Sequence, residues 1–445
     1  MTPLELRSSL GLASVSGLRL LGLFIILPVF ALYAETLAGG DNRVLVGLAL
    51  GAYGLTQAVL QIPFGWLSDR WGRKPTIYLG LAIFAIGSFV AAMADSIHLV
   101  ILGRVIQGAG AISAAVIALL ADLTREEVRT KAMALIGITI GVSFTVSMGG
   151  GPLLAHWIGV PGVFVLTGLL ALGAALLVRI AIPDPPVHVA ARPRGRFADV
   201  LADGQLLRLD IGVFALHAAL MALFVVVPFS LRSGGLDSAA QWKVYLPVMF
   251  LSFVLMAPGI AISERRGWQK PAFLGSIGFI AASFVILAAA QSNLTLLTAG
   301  LSVFFVGFNF LEASLPSLIS RVAPVAAKGT AAGVYSSLQF LGTFVGAAVA
   351  GWLSQHWGPT AVFGFCGALI VVWFFAALGM SVPVLRTYPV AGLDPASADR
   401  LVGRLRSLPG VREANIALKD SVARLKVDRA RFDEQNALRL LEGKI

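Results

Sequence analysis

Hydrophobic residues in this chain come in long blocks separated by short polar stretches. Twelve blocks can be traced, at residues 12–34, 44–67, 76–95, 98–122, 132–156, 162–182, 209–231, 243–263, 271–291, 295–319, 329–354 and 359–382. Each predicts a membrane-spanning helix, since about 20 apolar residues cross the hydrocarbon core of a bilayer. Glycines and prolines punctuate many of the blocks, which membrane helices tolerate. The N-terminal stretch MTPLELRSSLGLASVSGLRLL leads into the first block without an A-x-A cleavage site, so a retained first span is expected. A Pro- and Arg-rich segment, Pro183–Arg208, divides the blocks six and six. The expected organisation is a first six-helix half over 1–183, a linker over 184–208 and a second six-helix half over 209–384.

Beyond Val384 the pattern changes. Thr387–Leu393 reads as a strand and Asp394–Leu408 as a helix with Leu401, Leu405 and Leu408 on one face. Arg412–Leu418 and Val422–Asp428 read as two strands joined by a Lys419-Asp420 turn, and Phe432–Leu441 as a second helix. This βαββα order predicts a small α+β, ferredoxin-like domain over 385–445. Metal-carrying domains of this shape use a CxxC after the first strand. Here that place reads Gly392-Leu-Asp-Pro-Ala-Ser, so no metal is assigned. No fourth strand is evident before Ile445, which leaves a sheet edge unexplained.

Composition agrees with a polytopic membrane protein. The 445 residues are 57% hydrophobic and 13% charged, with mean hydropathy +0.85, where soluble domains carry about a quarter charged residues. The net charge of +11 raises nucleic acid as a partner, but the cations lie between apolar blocks and in the tail, so topology explains them first. With the N-terminus in the cytoplasm, the loops on that side hold seventeen Lys and Arg before Arg386, including Arg192, Arg194 and Arg196 of the linker. The opposite loops hold Arg43, Arg232 and Lys243. Both termini are therefore expected in the cytoplasm. The twelve Lys and Arg from Arg386 to Lys444 suit a domain near anionic lipid better than one on nucleic acid. The single Cys366 excludes an intrachain disulfide and a CxxC site. No nucleophile–base pair or metal cluster appears, so neither an enzyme nor a cofactor is expected.

The loop between the second and third blocks reads Gly65-Trp-Leu-Ser-Asp-Arg-Trp-Gly-Arg-Lys-Pro75. Gly65, Gly72 and Pro75 favour a tight turn. Asp69, Arg70, Arg73 and Lys74 place paired charges at the membrane surface, where they can act as a latch. Asp122, at the end of the fourth block, is the expected partner of Arg70 or Arg73. The pattern G-x-L-x-D-R-x-G-R-K-P resembles the conserved loop of the major facilitator superfamily. Internal similarity points the same way: GPLLAHW at 151–157 and GWLSQHW at 351–357, RTKA at 129–132 and KGTA at 328–331, DRWGRK at 69–74 and ERRGWQ at 264–269. Such parallel repeats place a substrate site between the halves near mid-membrane.

Ionisable groups inside apolar blocks are costly and mark candidate function. Arg19 lies in the first block and Arg104 in the fourth, where Gly108 and Gly110 permit close approach of a helix or solvent. Glu312 reads as the only carboxylate well inside the second half, with Asn309 on the same helical face. His217 is a second protonation candidate, set against a neutral His bonded to a helix carbonyl. Glu312, Asn309 and Gln339 are the expected cavity residues. Phe304, Phe305, Phe308 and Phe310 are expected to face lipid or core. Gly141, then Gly149-Gly-Gly151-Pro152, permit close packing in the fifth block and remove a backbone hydrogen bond.

The resemblance adds roles to these positions. R-x-x-Q-G-x-G-A from Arg104 is similar to the superfamily's fourth-span motif, linked there to proton coupling. Gly141, Gly151 and Pro152 resemble the antiporter signature of drug:proton exporters, a partial match because Ala155-His156 stands where that motif has a Gly pair. The resemblance implies a proton-driven exporter in the bacterial inner membrane, a monomer exchanging a small molecule for protons. In its outward-facing state the Asp69/Arg70 loop and Asp122 would hold the cytoplasmic side closed. The last domain resembles the YAM domain, which implies a part in tuning the conformational cycle. A proton-independent uniporter and a membrane sensor built on the tail are the competing readings. The proton carriers expected are Glu312 by preference, then His217, with Arg104 and Arg19 beside them.

Overall fold

The structure is a computed structural model that describes residues 1–184, 197–290, 292–324, 327–381, 384–390, 394–418, 421–428, 431–441 and 443. Most of the linker (185–196, with Arg192, Arg194 and Arg196), Gly392 and the turn at 419–420 lie outside the described residues. The helices are α1 (Pro3–Ile25), α2 (Leu27–Ala34), α3 (Arg43–Arg70), α4 (Arg73–Ala92), α5 (Ile97–Ala109), α6 (Ser113–Asp122), α7 (Glu126–Ala181), α8 (Phe197–Ala202), α9 (Gly204–Ser233), α10 (Trp242–Arg265), α11 (Gln269–Ala290), α12 (Leu294–Val322) and α13 (Lys328–Leu378).

Ten stretches among the described residues are long and apolar enough to cross a membrane. Two of them turn back on themselves: α7 bends at Gly159 (φ +68°) and α13 at Gly358 (φ +76°), so each crosses twice and twelve spans result. Loops expected at 157–161 and 355–358 thus shrink to single glycines, each in the left-handed region that a side chain disfavours. Pro28 breaks the first span between α1 and α2, and Gly110 breaks the fourth between α5 and α6. The helices outrun their apolar blocks. The first begins at Pro3, nine residues before its block, where Thr2 and Glu5 form a capping box.

The twelve spans fall into two halves of six, the first ending with α7 and the second beginning with α9. One set of helix ends carries the Asp69 turn, and we call this the loop face; the far face carries Glu35, Arg43 and Arg232. Within the second half α9 and α13 pack closely, with Gly342 and Gly346 set against the backbone of Phe214 and Ala218. Between the halves α3 meets α13, where Gly47, Gly51 and Gly54 lie on one face of α3 against Ala347, Phe344 and Phe340. Any side chain at those glycines would strike backbone atoms, so their absence sets how near the halves come.

The small C-terminal domain comprises β1 (Val384–Pro389), α14 (Pro395–Arg406), β2 (Val411–Ala417), β3 (Val422–Val427) and α15 (Glu434–Leu441). Its antiparallel sheet has the order β1-β3-β2, with Val384 opposite Val427 and Pro389 opposite Val422. This is the split βαβ order, with three strands among the described residues. β1 starts three residues earlier than the pattern predicted and ends at Pro389. Asp394 caps α14 as a side-chain acceptor for Ser397 N–H, and Leu405, Ala414, Leu425 and Val427 form the core. Lys426 anchors the domain to the second half, its Nζ donating to the Ala323 carbonyl at the end of α12 at 2.7 Å.

Candidate functional site

A cavity of about 2740 Å³ lies between the halves. At the loop face it is flanked by Asp69, Arg73 and Asp122 on one side and by Arg321 and Lys328 on the other, and it reaches in as far as Leu27, Met221 and Leu246. Glu35, Arg43 and Arg232 of the far face do not line it, so among the described residues it opens to the loop face. Ligand pockets usually measure about 300–1,000 Å³; this volume suits a vestibule that admits solvent. Phe24, Phe144 and Phe308 build part of the wall, with Phe144 edge-on to Phe24 at 5.1 Å and tilted against Phe308 at 6.0 Å. Phe304, Phe305 and Phe310 are buried. Phe308 departs from the expectation for this group by facing the cavity as well as the core.

The first half contributes cations. Arg104 is buried on the cavity wall, donating to Gln107 Oε1 at 2.6 Å and more weakly to the carbonyls of Ala49 and Leu50 at 3.4 Å. Gln107 in turn donates to Ser88 Oγ at 2.8 Å. The guanidinium lies 5.1 Å from the ring centre of Tyr53. Arg19, buried behind the wall, donates to the Tyr53 hydroxyl at 2.8 Å and to Ser113 Oγ at 3.2 Å. Tyr53 thereby joins the two arginines, neither of which has a carboxylate partner among the described ion pairs. Gly108 lets α5 sit against the Tyr53 backbone, as expected of a glycine there.

The second half contributes groups that can change charge. His217 Nδ1 lies 3.1 Å from the Val213 carbonyl, its Nε2 lies 2.8 Å from Gln339 Nε2, and Glu312 Oε2 is 3.6 Å from the same ring nitrogen. An amide donor at Nε2 requires that nitrogen to be unprotonated, which puts the ring proton on Nδ1, where it donates to Val213. His217 is thus both bonded to its helix carbonyl and turned toward a carboxylate. Glu312 Oε2 is shielded and lacks a hydrogen-bond partner. Asn309 lines the cavity and donates to Ser252 Oγ at 2.7 Å.

At the loop face, Gly72 supplies the turn with φ +98° and Gly65 packs on Ala114. Arg73, rather than Arg70, holds Asp122, at 2.9 Å, and it also bonds Asp69 at 2.6 Å. Arg70 stacks over Trp66 at 4.3 Å. Lys74 reaches Asp184 and the Ile182 carbonyl, both at 2.7 Å, and its ammonium holds the Asp184 carboxyl below its ordinary range. The described bonds of these three cations stay within the first half. Gly141 lies beside the Phe253 ring on the cavity wall, where a Cβ would come within 3.8 Å of it, and Gly151 packs on the Ile25 carbonyl where Pro28 breaks the first span; Pro152 sits inside α7.

One expectation needs correction. Glu312 is not the only carboxylate inside the second half, because Asp210 of α9 is 2% exposed. It stands second in the block 209–231, and its placement there was the available signal. Glu35 was also missed: it accepts both guanidinium nitrogens of Arg232, at 2.6 and 2.9 Å, just outside the first block.

A twelve-span bundle with a cavity between its halves is the architecture of a membrane transporter. Residues 12–347 match the family model of the Major Facilitator Superfamily, and this chain belongs to that family; it is a transporter and not an enzyme. It is 43% identical to the inner membrane transport protein YajR of Escherichia coli (strain K12), over 99% of this chain and 98% of YajR. It is 25% identical to the quinolone resistance protein NorA of Staphylococcus aureus (strain MRSA252), over 74% of this chain and 86% of NorA. A bacterial homologue of the human lysosomal transporter Spinster, solved in an inward-facing and occupied conformation, shares the fold with TM-score 0.68 and 16% identity, covering 85% of this chain and 96% of that one.

Proposed function

We propose that this protein is a proton-coupled exporter of small amphipathic compounds, working by antiport with alternating access in a bacterial inner membrane. The names of YajR and NorA support an inner-membrane and drug-resistance setting. The observation that carries the reading is the His217–Gln339–Glu312 cluster in a cavity open to one face. The positive-inside bias makes the loop face cytoplasmic, so both termini are cytoplasmic and the structure is inward-facing.

The chemistry follows from donor counting. As His217 stands, its Nε2 accepts from Gln339. A proton on Nε2 would set two donors against each other and favour a turn of the ring N–H toward Glu312, 3.6 Å away. A proton on Glu312 would remove that attraction. Protonation thus changes the contacts of α9, α12 and α13 together, and differential proton affinity shifts the balance of inward and outward states. At 100 mV one charge crossing is worth about 2.3 kcal/mol, more than a tenfold bias. The proton gradient is the only energy source needed, with no cofactor. In the outward-facing state the Asp69–Arg73–Asp122 cluster would meet the second half and keep the cytoplasmic side shut. The protein would work as a monomer, its C-terminal domain tuning the cycle from its anchor at Ala323.

The test uses inverted vesicles with an acid lumen. Adding a transported compound from a panel of lipophilic cations, dyes and sugars should alkalinise the lumen in wild type, with the response lost in Glu312→Gln. Transport that ignores the pH gradient would instead establish a uniporter.

A further inference from the structure

Two arginines and a helix end of the first half play no part in that chemistry. The fourth span is interrupted at Gly110, and its second piece, α6, starts again at Ser113. From there to Asp122 at the loop face α6 has 10 residues, which rise about 15 Å, or half the thickness of the hydrocarbon core. The N-terminus of α6 therefore lies near mid-membrane. Ile112 precedes it without a side-chain cap, and the N–H groups of Ala114 and Ala115 have no partner among the described hydrogen bonds. A helix end of this kind carries about half a positive charge.

Further observations converge on that end. Arg19 is 3% exposed and donates to Ser113 Oγ, on the first residue of α6, at 3.2 Å, while its Nε has no partner. Ser113 lines the cavity; having accepted from Arg19, its hydroxyl keeps an O–H to donate, and no acceptor is described for it. Arg104, joined to Arg19 through Tyr53, adds a second guanidinium with no carboxylate among the described ion pairs. Buried cations and an open helix end at membrane depth are costly unless a partner completes them. The cavity as a whole favours an anion: six Lys and Arg line it against Asp69, Asp122 and Glu312, and a cleft dominated by one sign draws in the opposite charge. Of those carboxylates, Asp69 and Asp122 are held by Arg73, and Glu312 faces His217. Apolar surface starts beside the site, at Leu20, Leu23 and Phe340, with Phe340 edge-on to Tyr53 at 6.1 Å.

We propose that the N-terminus of α6, with Ser113 and Arg19 and with Arg104 beside them, binds the anionic head of the transported compound, so that the substrates are amphipathic organic anions, carboxylates above all. The inference rests on the exporter reading above and names its substrate class. Half-helix N-termini of broken membrane helices hold anionic substrate groups in this manner. The head accepts hydrogen bonds from the Ser113 hydroxyl and from N–H groups at the start of α6, and the arginines supply positive charge behind them. The apolar body lies along Leu20, Leu23 and Phe340. Glu312 and His217, on the second half, stay available for the proton.

The test is calorimetric binding to the full chain in lipid nanodiscs at neutral pH, without a gradient and with empty nanodiscs subtracted. Naphthoate and naphthylmethylammonium share an apolar body and carry opposite charges. Naphthoate should bind about tenfold more tightly. Arg19→Gln should cost naphthoate about tenfold in affinity and leave the ammonium unmoved. Ser113→Asp sets a carboxylate at the helix end, where it can accept from the open N–H groups and pair with Arg19. It should keep the fold and displace naphthoate outright, and this arm decides if Arg19→Gln does not fold. Ammonium binding as tight as naphthoate binding in wild type would overturn the proposal. So would undiminished naphthoate binding in Ser113→Asp, which would move the anion to the cations at the cavity mouth. Because binding is read without a gradient, a failed antiport assay and a failed anion site are told apart.

Discussion

The two faces of the bundle hold its halves by different means. At the far face the backbones of α3 and α13 touch at Gly47, Gly51 and Gly54, and Arg232 of the second half grips Glu35 of the first with two hydrogen bonds. Arg43 adds bonds to Gln355 and Ser354. At the loop face the described ion pairs join residues of one half: Arg73 with Asp69 and Asp122, Arg125 with Glu5, Arg321 with Glu264. Packing between small residues works only at contact, so it seals a face that is shut. Charges can exchange partners as a face opens. The far face is thus shut chiefly by shape, and the loop face keeps its charges satisfied at home.

The largest test of this contrast is Gly51→Leu. A Cβ there would lie 3.0 Å from the Phe344 carbonyl oxygen and 3.2 Å from its Cα, so neither neighbour can yield by a rotamer change. Overpacking costs about 1–3 kcal/mol, which moves the equilibrium about tenfold away from this state. Spin labels at Trp71 and Lys328 should report a shorter distance across the loop face as the bundle rocks the other way. An unchanged distance would show that the glycine contacts do not set the seal.

Glu35→Gln should act in the same direction and more weakly. Both partners are more than a third exposed, at 37% and 44% of the side chain, so the pair contributes about 0.2–1 kcal/mol. The same labels should show at most a fivefold shift. The Arg232 hydrogen bond, helped by the nearby charges of Arg232 and Arg43, holds the Glu35 carboxyl below its ordinary value of 4.5. A lowered carboxyl contributes closure fully above 4.5 and loses it as pH falls through the lowered value. Closure by this pair should therefore be flat from pH 8 to 5 and weaken only in stronger acid. A label distance that follows pH near 6 in wild type and equally in Glu35→Gln would assign that response to groups other than this pair.

Twelve spans were legible because lipid demands apolarity along whole helices. What the pattern could not carry was where helices run past the membrane, as α1 does from Pro3, and where one glycine replaces a loop, at Gly159 and Gly358. The polar members of the site stood out for the same reason the spans did: Arg104, His217, Asn309, Glu312 and Gln339 interrupt apolar blocks, and the fold brings all five to one cavity. Tyr53 has no such signal, since a tyrosine is unremarkable in a membrane helix, yet it links Arg19 to Arg104. Pairings between halves were invisible. Arg232 and Glu35 are 197 residues apart and Arg43 and Gln355 are 312 apart, and no local periodicity encodes a contact of that span.

The smallest effect expected is from Asp122→Asn, and its smallness is the point. Arg73 would lose one acceptor, at 2.9 Å, and keep Asp69 at 2.6 Å and Ser68 Oγ at 3.1 Å. All four residues belong to the first half. Removing a bond inside one half changes that half's internal energy about equally in both states unless the other state uses the same group differently. In this open state the label distance should therefore move less than twofold in population, below the Glu35→Gln shift. The loss should appear only when the loop face is driven shut, as in the Gly51→Leu background, where Asp122→Asn should return part of the population to the open state. A shift in the single variant as large as that of Gly51→Leu would mean that the loop charges already bridge the halves here, and the contrast between the two faces would fail.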